Sequence, residues 1–561
     1  MANLKNKIVI AEYISSGKNF IDDIISRGYE PVLLEGNYPN ISEEMKVLRA
    51  ERDSINARFA GKFQIIKENP DYNAILQQVR ELKPILVLAG NEFGVELATR
   101  LSNDLGLAGN PVSRLPQMTQ KDKMHEALKD YGIRYIRGKL VSSIEEAEKF
   151  FNELDTQNTV VKPARGAGTQ GVYICSNREE MLSAVSKNLE LNPDTLIQER
   201  IIGTEYIVNT TSCNGRHSLI SMASYEKIKL SNGTNAYNNF QIVKELDIGH
   251  WELVNYAYDV ANAIGIKYGP VHGEYMIDEK GPVLIEVNCR PMGASMRRKF
   301  LDSIYGHHDT DKILDSYLDH EKFNEDRRKP YRTHNFGAIK FIIVPNNTRE
   351  YSTPIMQLSR HLRSYYDANF TGAGNRDDLP KTRNLETAGG VIYLLHEDDK
   401  IVREDCRILH EIEMKYPDLI FQNENLTFKT PDKSLSIEQV INTTNSKGSI
   451  LILSDINQEV KGSCVVTSDQ ELSSAFDSYE QGIIYLNKAE SFADVESLAE
   501  KIYKLISKIR RGGRVIIPES TYCNIPYGIK GIEILLRVAG LKIEAPIYES
   551  KQEKILIASK I

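Results

Sequence analysis

The sequence predicts a multidomain fold, α/β at its two ends and α+β between them, and three observations carry that prediction. First, 561 residues are too many for one hydrophobic core, and roughly three or four domains are expected. Second, strand and helix signals alternate at the start of the chain and again at its end, as in parallel sheets covered by helices. Third, the middle of the chain strings together strands, glycine loops and hairpins. Hydrophobic residues at 41% and charged residues at 26% exclude a chain disordered throughout. A net charge of −7 gives no support to bulk nucleic-acid binding or to an anionic-membrane surface. No run approaches the roughly 18 apolar residues of a membrane helix. Met1–Lys7 runs straight into a strand-like KIVIAEY, without the apolar segment of a signal peptide. Six cysteines (175, 213, 289, 406, 464 and 523) show no CxxC spacing, so neither a zinc knuckle nor a disulfide framework is indicated. The expectation is a cytoplasmic protein with no nucleic-acid or membrane partner.

Ile8–Tyr13 is apolar and β-branched and reads as a strand, Asn19–Arg27 as a helix that Gly28 can end, and Glu30–Leu34 as a second strand. Strand Ile85–Ala89 and helix Phe93–Leu105 form the next unit. Only Gly17 follows the first strand, so the three-glycine dinucleotide fingerprint is missing there. Thr119–Gly132 is a predicted helix. Thr119 and Asp122 make a capping-box pattern, Met124, Ala127, Leu128 and Tyr131 form the apolar stripe, and Gly132 stops it. From Asn158 to Asn288 strands dominate, apart from a helix near Leu253–Ile264. Strands Ala338–Val344 and Gly390–Leu395 and a helix near Arg403–Met414 follow. Asn423–Lys447 is polar and predicts a linker, after which Ser449–Ile561 returns to strand–helix alternation.

Two motifs carry chemistry. Val160-Val161-Lys162-Pro163 precedes a glycine loop at 164–171 in which Gly166, Gly168 and Gly171 let the backbone approach an anion and aim N–H groups at phosphate. A P-loop needs its lysine after the glycines and then a helix, whereas Lys162 comes before them and a strand follows. HRD and DFG strings are absent, which removes the protein-kinase reading. A phosphate-covering hairpin and an ordinary glycine hairpin both remain open. The second motif is a hairpin, Val271–Ile277 and Val283–Cys289, around the turn sequence Asp278–Pro282. Pairing Ile277 with Val283 sets Glu274 opposite Glu286 and His272 opposite Asn288, with Glu274, Glu286, Asn288 and Arg290 on one face. Opposed like charges destabilise a sheet, so a cation is expected there. Two carboxylates and an amide oxygen are hard ligands that suit Mg²⁺. A solvated acidic face is the alternative, and His272 reads as structural or substrate-facing.

The order of motifs resembles the ATP-grasp superfamily of carboxylate–amine and carboxylate–thiol ligases. It rests on Asp122-Lys123, VVKP at 160–163, the glycine loop, Gln198 to Glu205, HGEYM at 272–276 and EVNCRP at 286–291. The resemblance implies a Rossmann-like pre-ATP-grasp domain (1–115) and an ATP-grasp region (116–335) with a lid near 135–200 and a metal-binding core near 200–300. A completing lobe and linker (336–440) and a C-terminal α/β domain (441–561) would follow. It further implies that Lys123 and Lys162 touch ATP phosphates and that Gly166, Gly168, Thr169 and Gly171 close over them. Gln198, Glu199 and Ile201 would meet the adenine, and Glu205 the ribose. Glu274, Glu286 and Asn288 would hold Mg²⁺, with Mn²⁺ able to substitute, and Arg290 would be catalytic.

Within the superfamily, GNEFGVELA (90–98), LGLAGNP (105–111) and GPVHGEY (269–275) look most like the L-amino acid ligase group. That implies attack of a substrate carboxylate on the γ-phosphate of ATP, giving an acyl phosphate and ADP, and then attack by an amine. Small-molecule carboxylate and amine substrates and a homo-oligomer are the partners it suggests. Glu92, with His272 and Arg290, would lie near the substrates, although a carboxylate favoured by the helix dipole explains Glu92 equally well. A non-catalytic nucleotide sensor or scaffold is one rival reading, and the retained lysines and carboxylates argue against it; an ATP-grasp ligase or carboxylase with a non-amino-acid substrate is the other.

The tail from Ser449 resembles the C-terminal half of a class I methyltransferase, through Arg511–Ile517 and GIEILLRVAGLKI (531–543). Its first strand, Ile450–Ser454, is not followed by a glycine-rich cofactor turn. Residues 449–561 are therefore expected to be structural and not to bind S-adenosylmethionine. Calorimetric titration of the full-length protein checks this, and saturable micromolar binding would overturn it.

Overall fold

The computed structural model describes residues 6–36, 43–163, 171–230, 235–293, 296–345, 348–351, 359–370, 378–383, 387–419, 421–422, 436–444, 446, 448–454, 460–461, 463–475, 478–485, 492–518, 521, 529–544, 548–549 and 554–560. The chain forms two units, residues 1–225 with 241–335, and residues 226–240 with 336–561.

The first unit begins with a four-stranded parallel sheet. β1 (Lys7–Ala11) lies between β2 (Glu30–Leu34) and β4 (Leu86–Ala89), and β3 (Ile65–Ile66) pairs with the far side of β2. Strand β1 is short and apolar because helices cover both sheet faces: Ile8 and Ile10 point into one buried cluster, Val9 and Ala11 into another. α1 (Asn19–Ser26) ends at Gly28, whose φ of 83° is left-handed and favours glycine. The helix predicted from Phe93 is divided. Glu92–Gly94 is a 3₁₀ turn, and α2 runs from Val95 to Asp104.

α3 spans Lys121–Tyr131, two residues later than the predicted start, and Gly132 stops it with φ 82°. The capping box does not form. Thr119 belongs to a preceding short helix, Leu115–Thr119, and its hydroxyl donates to Leu115 O. Met124, Ala127 and Leu128 are buried as expected, but Tyr131 is 51% exposed.

A four-stranded antiparallel sheet follows, in the order β5 (Gly138–Val141), β8 (Thr195–Glu199), β6 (Thr159–Lys162), β7 (Tyr173–Cys175). Helices Ile144–Asn152 and Arg178–Leu189 cover it; Phe150, Phe151, Met181 and Val185 pack on Val161 and Ile197. A second antiparallel sheet continues from β9 (Thr204–Cys213) to β10 (Arg216–Lys229) on one side. On its other side lie β11 (Gly269–Asp278) and β12 (Gly281–Asn288). α4 (Ile248–Ile264) backs this sheet: Leu253, Val254 and Ala257 share a core with Val271, Tyr275, Leu284 and Val287.

The hairpin register is a correction. Ile277 pairs with Pro282, not Val283, and Asp278 with Gly281 across a two-residue turn. The register then shifts between Glu274 and Tyr275, leaving Ile285 as the extra residue of a β-bulge. The bulge restores the expected pairs, Glu274 with Glu286 and His272 with Asn288.

In the second unit, strand 390–396 is flanked by antiparallel strands 336–341 and 365–370, and helix Asp399–Lys415 packs on them. Lys340, fully buried, donates to Glu413 Oε2 at 2.5 Å and to Phe341 O at 2.6 Å. Helix Ile437–Thr443 lies in the predicted linker, whose residues 423–435 fall outside the described set. The C-terminal sheet runs in the order 463–466, 450–454, 479–485, 509–518, 554–560, 541–543. It is parallel as far as 509–518, and 554–560 is antiparallel to both its neighbours.

Five cysteines, 175, 213, 289, 406 and 464, are free thiols. Among the described residues no helix is long and apolar enough to cross a membrane.

One buried ion network in the first unit titrates. His308 donates from both ring nitrogens, to Asp23 Oδ2 at 3.1 Å and Asp302 Oδ1 at 2.7 Å, and Asp23 also accepts from Arg298 and Thr310. Burial opposes the imidazolium, but these carboxylates outweigh it and push His308 up to about 9. Because the folded value lies above the ordinary 6.5, the stabilisation is full below pH 6.5 and is lost as pH rises through about 9. The unfolding midpoint of the protein should therefore exceed that of His308→Gln by most near pH 6, and the gap should close towards pH 10. A gap that does not change with pH would refute this.

Candidate active site

The candidate site is built on the β11–β12 face. Glu274 and Glu286 oppose one another, and Asn288 Nδ2 donates to Glu286 Oε1 at 3.4 Å. Lys162, at the end of β6, is 6% exposed. Its strand end is fixed from behind, because Thr195 Oγ1 donates to Lys162 O at 2.9 Å and itself accepts from Asn188 Nδ2. Burial pushes the Lys162 ammonium down to about 8, with the Lys121 charge acting the same way against Glu286 and Glu274. Glu286 moves in the opposite sense. Burial raises it, but the Lys121 and Lys162 charges and the hydrogen bonds from Lys121 and Asn288 prevail, and the carboxylate is held below its usual range.

The lysine on α3 that reaches this face is Lys121. Its Nζ lies 3.0 Å from Glu286 Oε2. Lys123 is 40% exposed and turns to Glu126 Oε2 at 2.7 Å and Asp122 Oδ2 at 3.6 Å, so the structure does not bring it to the carboxylates. The sequence held a signal for Lys121: at helical spacing it falls with Met124, His125 and Leu128 on the buried face, whereas Lys123 and Glu126 fall opposite.

Glu92 comes to the same place from the parallel sheet. The segments after β1 and β4 pass so closely that a Cβ on Gly90 would lie 2.2 Å from Glu12 O, and one on Gly94 2.2 Å from Ala11 O. Asn91 Oδ1 accepts from Phe93 N–H at 2.9 Å and fixes the turn. Glu92 Oε2 lies 3.6 Å from Arg290 Nε and is buried without a hydrogen bond. Burial raises this carboxyl, opposed by Arg290. A cavity of about 130 Å³ opens among Glu92, Phe93, Lys121, Glu286 and Asn288.

His272 Nδ1 is 2.8 Å from Asn209 Oδ1, and its Nε2 is 3.8 Å from Glu274 Oε1. Burial, helped by Arg290, pushes His272 down to about 3. The ring is neutral, and Nδ1–H donates to Asn209. His125, on α3, is likewise pushed down to about 3 by burial and the Lys162 charge.

At the end of β8, Gln198 is 2% exposed, and the Glu199 carboxylate accepts from Arg137 N–H at 2.9 Å. Ile201 is half-buried, and Glu205, on β9, is 8% exposed opposite Met276. Gly171 has φ 71°, and its carbonyl accepts from Asn188. Gly166, Gly168 and Thr169 lie outside the described residues.

Residues 119–294 match the family model described as phosphoribosylglycinamide synthetase, ATP-grasp (A) domain, and form an ATP-grasp domain. Over 428 residues the chain is 24% identical to dapdiamide A synthase of Enterobacter agglomerans, covering 74% of this chain and 97% of that protein. It is 22% identical over 295 residues to the carbamoyl phosphate synthase large chain of Thermotoga neapolitana, 50% of this chain and 26% of that one. The fold is similar to that of L-amino acid ligase from Bacillus licheniformis, with a TM-score of 0.56 at 15% identity, covering 76% of this chain and 100% of the other. The N5-carboxyaminoimidazole synthase of Aspergillus clavatus, solved with ADP, gives 0.53 at 12% identity over 73% and 99%.

The geometry separates the two expected lysines. Lys162→Met should weaken ADP binding about tenfold or more, the loss of a charge-assisted hydrogen bond to phosphate. Lys123→Gln should change it little. Calorimetric titration checks both, and equal losses would return Lys123 to the site.

Proposed function

We propose that this chain, an ATP-dependent carboxylate–amine ligase on the ATP-grasp fold, activates the carboxylate of one substrate and couples it to the amine of an amino acid. The observation that carries the reading is the buried convergence of Glu274, Glu286 and Asn288 with Lys162, beside Arg290 and Glu92. The names of the relatives support an amino-acid substrate.

Nucleotide would lie between the β5–β8 sheet and the β9–β12 sheet, its adenine at Gln198 to Ile201 and its ribose at Glu205. The Lys162 ammonium, desolvated and aimed at the carboxylates, would bind the phosphates and offset charge on the phosphoryl group as it transfers. Glu274, Glu286 and Asn288 fit a hard divalent cation, since two opposed carboxylates and an amide converge with cations already near. Mg²⁺ bound there would neutralise phosphate charge.

The substrate carboxylate oxygen attacks the γ-phosphorus, the bond to the ADP oxygen breaks, and an acyl phosphate forms. The amine then attacks the acyl carbon, loses a proton, and phosphate leaves. Arg290 would stabilise the oxyanion of that second step. His272, fixed by Asn209, would keep Glu274 in place without adding charge. A second substrate's ammonium would find Glu92, whose buried oxygen lacks a hydrogen bond.

Glu286→Gln keeps the shape of the site and removes its charge. Turnover, followed as phosphate release with amino-acid pairs and as amide product by mass spectrometry, should fall by roughly a hundredfold or more while the fold is kept. Near-normal turnover in a folded variant would refute the assignment, and nucleotide binding with no product from any pair would favour a sensor.

A further inference from the structure

We infer that Lys121 is a resident counter-ion of Glu286 and makes metal binding conditional on nucleotide, whose phosphates take over its ammonium. The inference rests on the reading of Glu274, Glu286 and Asn288 as the metal site.

Lys121 is the first residue of α3, where the helix dipole disfavours a cation. Something must compensate, and the side chain supplies it by turning inward to Glu286 at 3.0 Å, with the two side chains 14% and 19% exposed. Three carboxylates, Glu92, Glu274 and Glu286, face three cations, Lys121, Lys162 and Arg290. The formal charge of these named groups is therefore zero before any ligand arrives.

A divalent cation entering alone would add two positive charges beside two ammonium groups, where screening is weak. It would also have to displace Lys121 from its carboxylate. A nucleotide changes both terms. Its phosphates carry more negative charge than one divalent cation cancels, and they offer Lys121 another acceptor. The four-carbon lysine stem lets the ammonium move while the backbone of α3 stays fixed. The cavity of about 130 Å³ beside Lys121 gives it room.

The test is Mn²⁺ binding by the full-length protein, read from the electron paramagnetic resonance of free Mn²⁺, with and without ADP. Wild type should bind Mn²⁺ alone weakly and at least about tenfold more tightly with ADP. Lys121→Gln should bind Mn²⁺ alone about tenfold more tightly than wild type, and ADP should add less. Lys121→Arg keeps the charge and should behave as wild type. Equal affinity of wild type and Lys121→Gln for Mn²⁺ alone would overturn the inference, as would Lys121→Arg behaving like Lys121→Gln. Glu286→Gln isolates the underlying reading: unchanged Mn²⁺ binding with ADP in that variant would remove the metal site itself, whatever Lys121 does. Thermal unfolding of each variant confirms that a folded protein is compared.

Discussion

The opposition of Glu274 and Glu286 across β11 and β12 is the constraint on which the rest of the first unit depends. Two carboxylates facing each other on a largely buried sheet repel, and neither can be hydrated freely. The chain answers with ammonium groups from two different elements, Lys121 from the start of α3 and Lys162 from the end of β6, while Arg290, just beyond β12, lies against Glu92. Each must be delivered by rigid backbone, which explains why the start of α3, the end of β6 and the hairpin converge there. An apolar hairpin would need none of them.

That hairpin also shows how far the sequence could be read. The alternation of Val271–Ile277 and Val283–Cys289 and the turn residues between them placed both strands and their inward faces. The register was harder, because period-two alternation does not reveal a bulge. The turn is one residue tighter than supposed and Ile285 is extra, and the two deviations cancel where the carboxylates lie. Glu274 and Glu286 were legible for that reason, while the route between them was not.

Lys121 was missed for a different reason. Thr119 and Asp122 have the spacing of a capping box, which drew the helix start too early, while the family resemblance drew attention to Lys123. Thr119 instead closes the preceding short helix. Burial periodicity separates the two lysines, since Lys121 sits in the arc of Met124, His125 and Leu128. Helices 144–152 and 178–189 were passed over although Ser143 and Asn177 are good N-caps, each accepting from the backbone N–H three residues on. The convergence of Glu92 and Arg290 was beyond periodicity altogether. It arises from glycine contacts between the segments after β1 and β4, and such long-range approaches leave no local pattern.

The neutral histidines complete the electrostatic argument. His125 and His272 sit next to the charged groups, and an ordinary imidazole there would titrate in the physiological range. Burial holds both near 3, and the charges that act on Glu286 are those of Lys121 and Lys162. The group that burial brings towards neutrality is Lys162, pushed down to about 8. Its depressed value follows from burial and from Lys121, and the negative charge of phosphates would reverse that depression. The site thus holds one lysine whose charge burial makes least secure, and a phosphate placed beside it would make that charge most secure.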